Sequence, residues 1–555
     1  MPSSSSEAAP FGSEGARWLT LLALCLVVLF VGLDARALWN QDEGMHAVTS
    51  KVMVESGDWI TPRFNGENFY DKPVLFTWMV AASFSLFGFS EWAARLPAAI
   101  CGLIGVLATY GLGRRLFGST AALFGAVVLV TSGGWVLHSR TVVHDISLVA
   151  AVVLALWAFW AGYQDQGRRA TPWLLFWAFS GVAVLAKGPV GLLPPFVAGL
   201  FLLVRREPRF VWQMRPLSGL ILLLAIGAPW YVVMSLRNPD YAQYFFVDKI
   251  FGSLATEGGA GKSKPFHYYV PVVLGLLLPW TVLLPTALRN AWRSASAESV
   301  FLLAWAAGTF IVFSLASAKL GSYMLPLLPA LALLIGRALT DLWELPEDAP
   351  ARSFQVPALL LAGLGLTMLV LALTGLPDRT AEKGVPPQAA RGLAVAAALS
   401  MALAAWFMAH RRVVACVATT AGLVVALFLT FEIAVAPRMD LYMSSREIGR
   451  LADRLLPPGD PVPTFKRVEG IFDAGMFYTG REVRFLEHQR PLRLALRAPE
   501  PLLVVVREKD FLRLEERSDI WPMVHLVDQI GDKVLISNRP ADEWLADMKP
   551  ATAHD

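Results

Sequence analysis

Asp42 and Glu43 stand side by side just after the first long apolar run ends, and His46 follows one helical turn later. Lipid phosphates would repel two acids at a membrane boundary, so the pair needs a reason. A carboxylate facing a reacting centre can orient or deprotonate an attacking group. Ammonium groups on the other side of that centre suit phosphate oxygens as compact charges. The chain supplies such ammoniums at Lys72, Lys187, Lys249 and Lys319, each in a short segment flanked by apolar runs. An ionisable residue at such a place is a functional candidate by default. Around them lie Tyr70 and Asp71, then Asp145 in "HSRTVVHDI", His267 after a glycine-rich "EGGAGKSK", and Tyr323 one turn beyond Lys319. Taken locally, Asp42 also suits a helix N-cap and Glu43 a first-turn acid complementing the helix dipole. No cofactor is dictated. A divalent cation, if one is used, would draw on Asp42, Glu43 and His46, and two ligands one turn apart do not by themselves make a site.

The elements that must position these residues are set by composition. Of 555 residues, 55% are hydrophobic and 17% charged, against about a quarter charged in a soluble protein, and mean hydropathy is +0.51. About thirteen apolar runs are each long enough to cross a bilayer. They are continuous rather than alternating, and unpaired backbone in lipid leaves only helices or closed barrels, so the expectation is an α-helical polytopic membrane protein. Arginines cluster in alternate connections: Arg114-Arg115, Arg168-Arg169, Arg205-Arg206, Arg289 with Arg293, and Arg411-Arg412. The excess of positive charge on cytoplasmic loops makes these cytoplasmic. That predicts a cytoplasmic tail over residues 1–17, a membrane domain over 18–436 with a first outer loop at 34–91, and an outer domain over 437–555. All twelve lysines then fall on the outer side. "ARA" at Ala35–Ala37 has the pattern of a signal cleavage site, but a retained first helix fits the alternation of charges better. The three cysteines lie within apolar runs, so no disulfide framework is expected.

In the first outer loop, Asp42 to Val54 reads as an amphipathic helix with Asp42, His46, Thr49, Ser50 and Met53 on one side. Gly57 stops it, and a second apolar stretch follows Pro73, giving two helices lying at the interface. The tail segments "PVPTFKRVEGIF", "EVRFLE", "LLVVVRE" and "KVLISN" read as short strands of a small α/β module.

At "DEGMH", "GDWITPRFNGENFYDKPVLFTW" and "RLPAA" the chain resembles the bacterial branch of the polyprenyl-phosphate-dependent glycosyltransferases. That branch holds the aminoarabinose and galacturonic acid transferases of lipid A and is related to protein O-mannosyltransferases. "LAKGPVGLLPP", "PFHYYVPVVLGLLLPWTVLLP" and "SLASAKLGSYMLPLLPALAL" look like its later signatures, in order. The resemblance implies a GT-C fold in the bacterial inner membrane and an active site at the periplasmic face. It also implies a sugar donor on undecaprenyl phosphate and an acceptor such as lipid A or another envelope glycan. It gives Asp42 the role of principal acid, Lys72 and Tyr323 the donor phosphate, and Asp145 a second-loop acid, with Lys319 and Asp71 as weaker carry-overs. The chain departs from the pattern at Met45, His46, Gly252 and Ile146, which bears on the sugar rather than the fold. A polytopic transporter or lipid flippase is the alternative. Against it, no two-fold repeat is visible and the notable charges lie at one face rather than mid-span.

Overall fold

The computed structural model describes residues 12–251, 264–315, 319–374, 380–381, 384–466, 471–516 and 520–546. Among these residues, eight helices are long and apolar enough to cross a membrane, or ten if two bent helix pairs each count as one span. The bent pairs are Pro208–Met214 with Pro216–Gly227, at 59°, and Phe266–Leu276 with Trp280–Ser294, at 112°. Proline accounts for such breaks, since it removes a backbone donor and clashes with the preceding turn. Helices Glu14–Phe30 and Ser119–Val130 are shorter. The long stretch Thr171–Val204 is not straight. The turn Gly188–Leu192 interrupts it, and a Cβ on Gly191 would sit 2.1 Å from the Val184 nitrogen.

The core lies in the middle of the bundle. The span Gly321–Trp343 is 89% buried, whereas Arg352–Leu373 and Val413–Met443 are each 28% buried and form the rim. The free cysteines Cys25, Cys101 and Cys416 are buried.

Helix Asp42–Ser56 does not lie on a surface. His46, Thr49, Ser50 and Met53, from one side of the expected amphipathic helix, are buried. The hydroxyls tolerate this because Thr49 donates to the Met45 carbonyl at 2.7 Å and Ser50 to that of His46 at 2.8 Å. The helix packs against Leu75–Phe87 on one side and against Asp473–Thr479 on another.

After the last span, a five-stranded sheet runs in the order Val483–Leu486, Val462–Phe465, Leu503–Arg507, Lys533–Ser537, His525–Ile530. The first three strands are parallel and the last two pair antiparallel. Val504, Val506, Val534 and Ile536 pack one face onto Leu492, Leu496 and Leu514 of flanking helices, as a sheet with a covered face requires.

Candidate active site

Gln41 precedes helix Asp42–Ser56 with φ 70° and ψ −126° and gives it no side-chain cap. A non-glycine residue pays for this left-handed backbone, and such strain concentrates at functional sites. Successive helical residues point about 100° apart, so Asp42 emerges exposed while Glu43 turns inward and is 5% exposed.

Glu43 is therefore enclosed by partners instead of facing out beside Asp42. Arg36 Nη1 lies 2.6 Å from one of its oxygens and Arg95 Nε 2.9 Å from the other. The amides of Trp39 and Val142 donate to the same carboxylate at 3.1 and 3.3 Å. Burial alone would raise this carboxyl, but Arg36 and Arg95 outweigh it and hold it well below the usual carboxylate range. Arg95 also donates to the carbonyls of Leu33, Arg36 and Ala37 at 2.7 to 2.9 Å. Glu432 joins from the last span, Val413–Met443, 3.5 Å from Arg36 and 3.8 Å from Arg140. This knot shapes the loop that carries Asp42. On its Glu432 side lies an apolar cavity of about 380 Å³ walled by Leu364, Met368, Met401 and Phe428, which no residue of the cluster below lines.

The second cluster gathers residues from separate loops and helix ends. Lys72 pairs with Asp71 at 2.8 Å in the loop before Leu75–Phe87. Asp145 opens helix Asp145–Gln164 and forms an ion pair with Lys187, the last residue of helix Thr171–Lys187. Lys187 Nζ sits 4.4 Å from the centre of the Tyr323 ring, a cation–π distance. Burial would lower the Lys72 ammonium, but Asp71 beside it, helped by Tyr323 and Asp145, raises it above its ordinary value. Lys72 is thus held charged.

His46 faces the same group. Burial pushes it down to about 3, with Lys72 adding to the fall and Asp71 and Asp145 opposing it, so the imidazole is neutral at physiological pH. Its ring lies 4.3 Å from that of His144. Tyr70 stacks its ring edge on Tyr241 at 5.3 Å and leans on Tyr244 at 5.8 Å. Tyr244 in turn feels the charges of Asp71 and Lys72. Lys319 is buried just before the turn Gly321–Leu327 that carries Tyr323, and its carbonyl accepts from Lys264 at 3.0 Å. His267, expected in the pocket, is instead exposed on the turn Phe266–Tyr268. The side chain of Lys249 lies outside the described residues.

His138 lies within electrostatic reach of both Asp42 and this cluster. Its charge state responds to Asp145, Lys187 and Asp42 together, with burial as the main influence lowering it. Its Nδ1 meets the Gly134 carbonyl at 2.8 Å. A carbonyl only accepts, so Nδ1 carries the hydrogen and Nε2 keeps its lone pair. In the sequence His138 heads "HSRTVVHDI", seven residues before Asp145, and that nearness to an acid is its only signal; Arg36 and Arg95 carry none. Among the described residues, no group of three or more His, Cys, Asp or Glu is placed to hold a metal ion, and the trio Asp42, Glu43 and His46 fails because Arg36 and Arg95 occupy Glu43.

Residues 71–232 match the dolichyl-phosphate-mannose-protein mannosyltransferase family. The chain is 33% identical over 370 residues to the undecaprenyl phosphate-alpha-4-amino-4-deoxy-L-arabinose arabinosyl transferase of Edwardsiella ictaluri, covering 65% of this chain and 66% of that one, just under two thirds of its length. It is 33% identical to the transferase of the same name from Aeromonas hydrophila, over 68% of this chain and 70% of that one. The fold matches the crystal structure of ArnT from Cupriavidus metallidurans bound to undecaprenyl phosphate with a TM-score of 0.77 and 25% identity, over 97% of this chain and 100% of that one. The chain belongs to the aminoarabinose-transferase family of GT-C glycosyltransferases, polytopic membrane proteins related to the mannosyltransferases.

Proposed function

We propose that the protein transfers a sugar from an undecaprenyl phosphate donor to lipid A or another cell-envelope acceptor at the periplasmic face of the inner membrane. In this reading the chain crosses thirteen times, residues 1–17 are cytoplasmic, residues 18–436 form the catalytic membrane domain, and the α/β unit within 437–555 is periplasmic. The observation that carries the reading is the meeting of Lys72, Lys187 and Tyr323 with Asp71 and Asp145, around His46 of the helix that opens with Asp42.

The chemistry follows from the donor. Its anomeric carbon is bonded to a phosphate oxygen, and that bond breaks as the acceptor oxygen bonds to the opposite face, which inverts the configuration. The departing phosphate gains charge, and the preorganised Lys72 ammonium and the Tyr323 hydroxyl stabilise it. Asp42, on the other side of the carbon, orients the attacking group. It takes the proton if that group is a hydroxyl. If the acceptor is itself a phosphate, no base is needed and Asp42 holds the sugar. Lys187 stays with Asp145 and sets the field around Tyr323.

The test uses purified protein in liposomes without an ion gradient, supplied with undecaprenyl phosphate-linked sugars and lipid A, with products read by mass spectrometry. Sugar attached to the acceptor is the expected result. Movement of the lipid-linked sugar across the bilayer with no covalent product would favour the transporter reading.

A further inference from the structure

The loop that delivers Asp42 is held largely by residues far away in the chain. The Ala37 amide and the Trp39 indole donate to Asp440 at 2.7 and 3.0 Å. The Leu38 amide donates to the Tyr478 hydroxyl at 2.8 Å, and that hydroxyl donates to Glu91 at 2.9 Å. Asn40 uses its backbone amide on the Met443 carbonyl at 2.8 Å. Its side-chain oxygen accepts from the Ser445 hydroxyl at 2.7 Å and the Ala474 amide at 3.1 Å. The contacts continue along the helix. Lys51 Nζ donates to the Phe477 carbonyl at 2.8 Å.

Gly44 is the point of closest approach. A Cβ there would lie 2.5 Å from the Ala474 nitrogen and 2.8 Å from the Asp473 carbonyl carbon. Both are backbone atoms that cannot rotate away, so any side chain at this position forces two helices apart. Farther out, the Asn65 side chain exchanges two hydrogen bonds with the Val483 backbone, at 2.7 and 3.1 Å, and so extends the edge of the sheet. Between these anchors sits Gln41 in its left-handed conformation. Strain of that kind persists only where the surroundings over-determine it, and here the surroundings are Asn40 with its three partners and the Glu43 knot.

We propose that the C-terminal α/β unit is part of the catalytic apparatus: through Asn40, Gly44 and Lys51, helix Asp473–Thr479 fixes where Asp42 stands. Asn40, Gly44 and Lys51 are positioning residues, since none need touch the reacting atoms. The proposal rests on the transferase reading and gives the α/β unit its role in that same site. A carboxylate displaced by about 1 Å can lose on the order of 100-fold in rate while the substrate binds as before.

The experiment compares full-length wild type with Asn40→Ala, Asn40→Asp, Gly44→Ala and Lys51→Met in liposomes. It reads kcat, donor KM, and the rise in Tm caused by undecaprenyl phosphate. Asn40→Ala and Gly44→Ala are expected to lower kcat by about 10- to 100-fold with donor KM held within about twofold. Lys51→Met should lower kcat less. Asn40→Asp keeps an acceptor oxygen where both partners need one and should restore most of the rate. The Tm rise with undecaprenyl phosphate should persist throughout. Wild-type kcat in Asn40→Ala and Gly44→Ala would overturn the proposal. So would a loss of rate that tracks a loss of Tm and is not restored by Asn40→Asp, because that pattern is simple unfolding. A wild type that transfers nothing would instead defeat the transferase reading, and the positioning proposal with it.

Discussion

Asp42 and Glu43 are neighbours in sequence and belong to two differently built regions. Around Glu43, the arginines Arg36 and Arg95 and two backbone amides meet both carboxylate oxygens within hydrogen-bonding distance. Every strong partner there is already in place, and those partners tie Glu43 to the loop that carries it. Around Asp42 the acids and cations are partly exposed and distributed over several elements. Lys72 and Asp71 keep 24% and 37% of their side-chain surfaces accessible, room in which a phosphate can exchange places with a carboxylate. A charged cluster whose charges are shared loosely keeps capacity to bind a substrate anion. The same residue types become scaffolding when they are saturated.

Breaking the saturated region should have the largest effect. Glu43→Ala strands Arg36 and Arg95 in a dry site, and removing one partner from such a pair costs about 3–5 kcal/mol. The variant is expected to express poorly or melt far below wild type. An unchanged Tm would place Glu43 outside the scaffold. On the loosely shared side, Lys72→Met should lower kcat/KM for the donor by about 100-fold, with Tm close to wild type. An unaltered dependence on donor concentration would remove Lys72 from the phosphate. The Asp145–Lys187 pair lies between the two extremes, with 17% and 11% of the side chains exposed. Asp145→Asn and Lys187→Met should each lower Tm, and the double variant should regain it, because neither partner is then left unpaired. Transfer should stay low in all three. Full recovery of turnover in the double variant would show that the pair is scaffold only.

The most gradual effect concerns pH. Burial holds His46 down to about 3 against an ordinary 6.5. Between those values the unfolded chain binds a proton that the folded protein refuses. Stability therefore falls as pH drops through that window, with a slope of up to about 1.4 kcal/mol per pH unit from this group. Thermal melts at several pH values should show a shallower fall for His46→Gln than for wild type. Equal slopes would mean that the imidazole is hydrated.

The helical membrane architecture and most of the loosely shared cluster are legible in the sequence for one physical reason. Ionisable side chains beside long apolar runs are costly, so Asp42, Lys72, Asp145, Lys187 and Tyr323 can be picked out singly. Which of them touch is not legible, because the Asp145–Lys187 contact joins different helices. The Glu43 knot is hidden for the same reason, with Arg36 inside an "ARA" that resembles a cleavage site and Glu432 in the last span. The helix Asp42–Ser56 misleads in a different way. A polar stripe suggests a solvated face, but Thr49 and Ser50 satisfy their hydroxyls on their own helix and the stripe turns inward. Gly44 carries no chemical signal, and its importance appears only when the Ala474 backbone is seen against it.

The central claim is that Asp42, and not its neighbour, is the acid that works on the substrate. It is tested most directly by Asp42→Asn in liposomes with undecaprenyl phosphate-linked sugar and acceptor, measuring turnover alongside the Tm rise with undecaprenyl phosphate. The account predicts a rate lower by at least about 100-fold with folding and undecaprenyl phosphate binding intact. Turnover at the wild-type rate in this variant would contradict it.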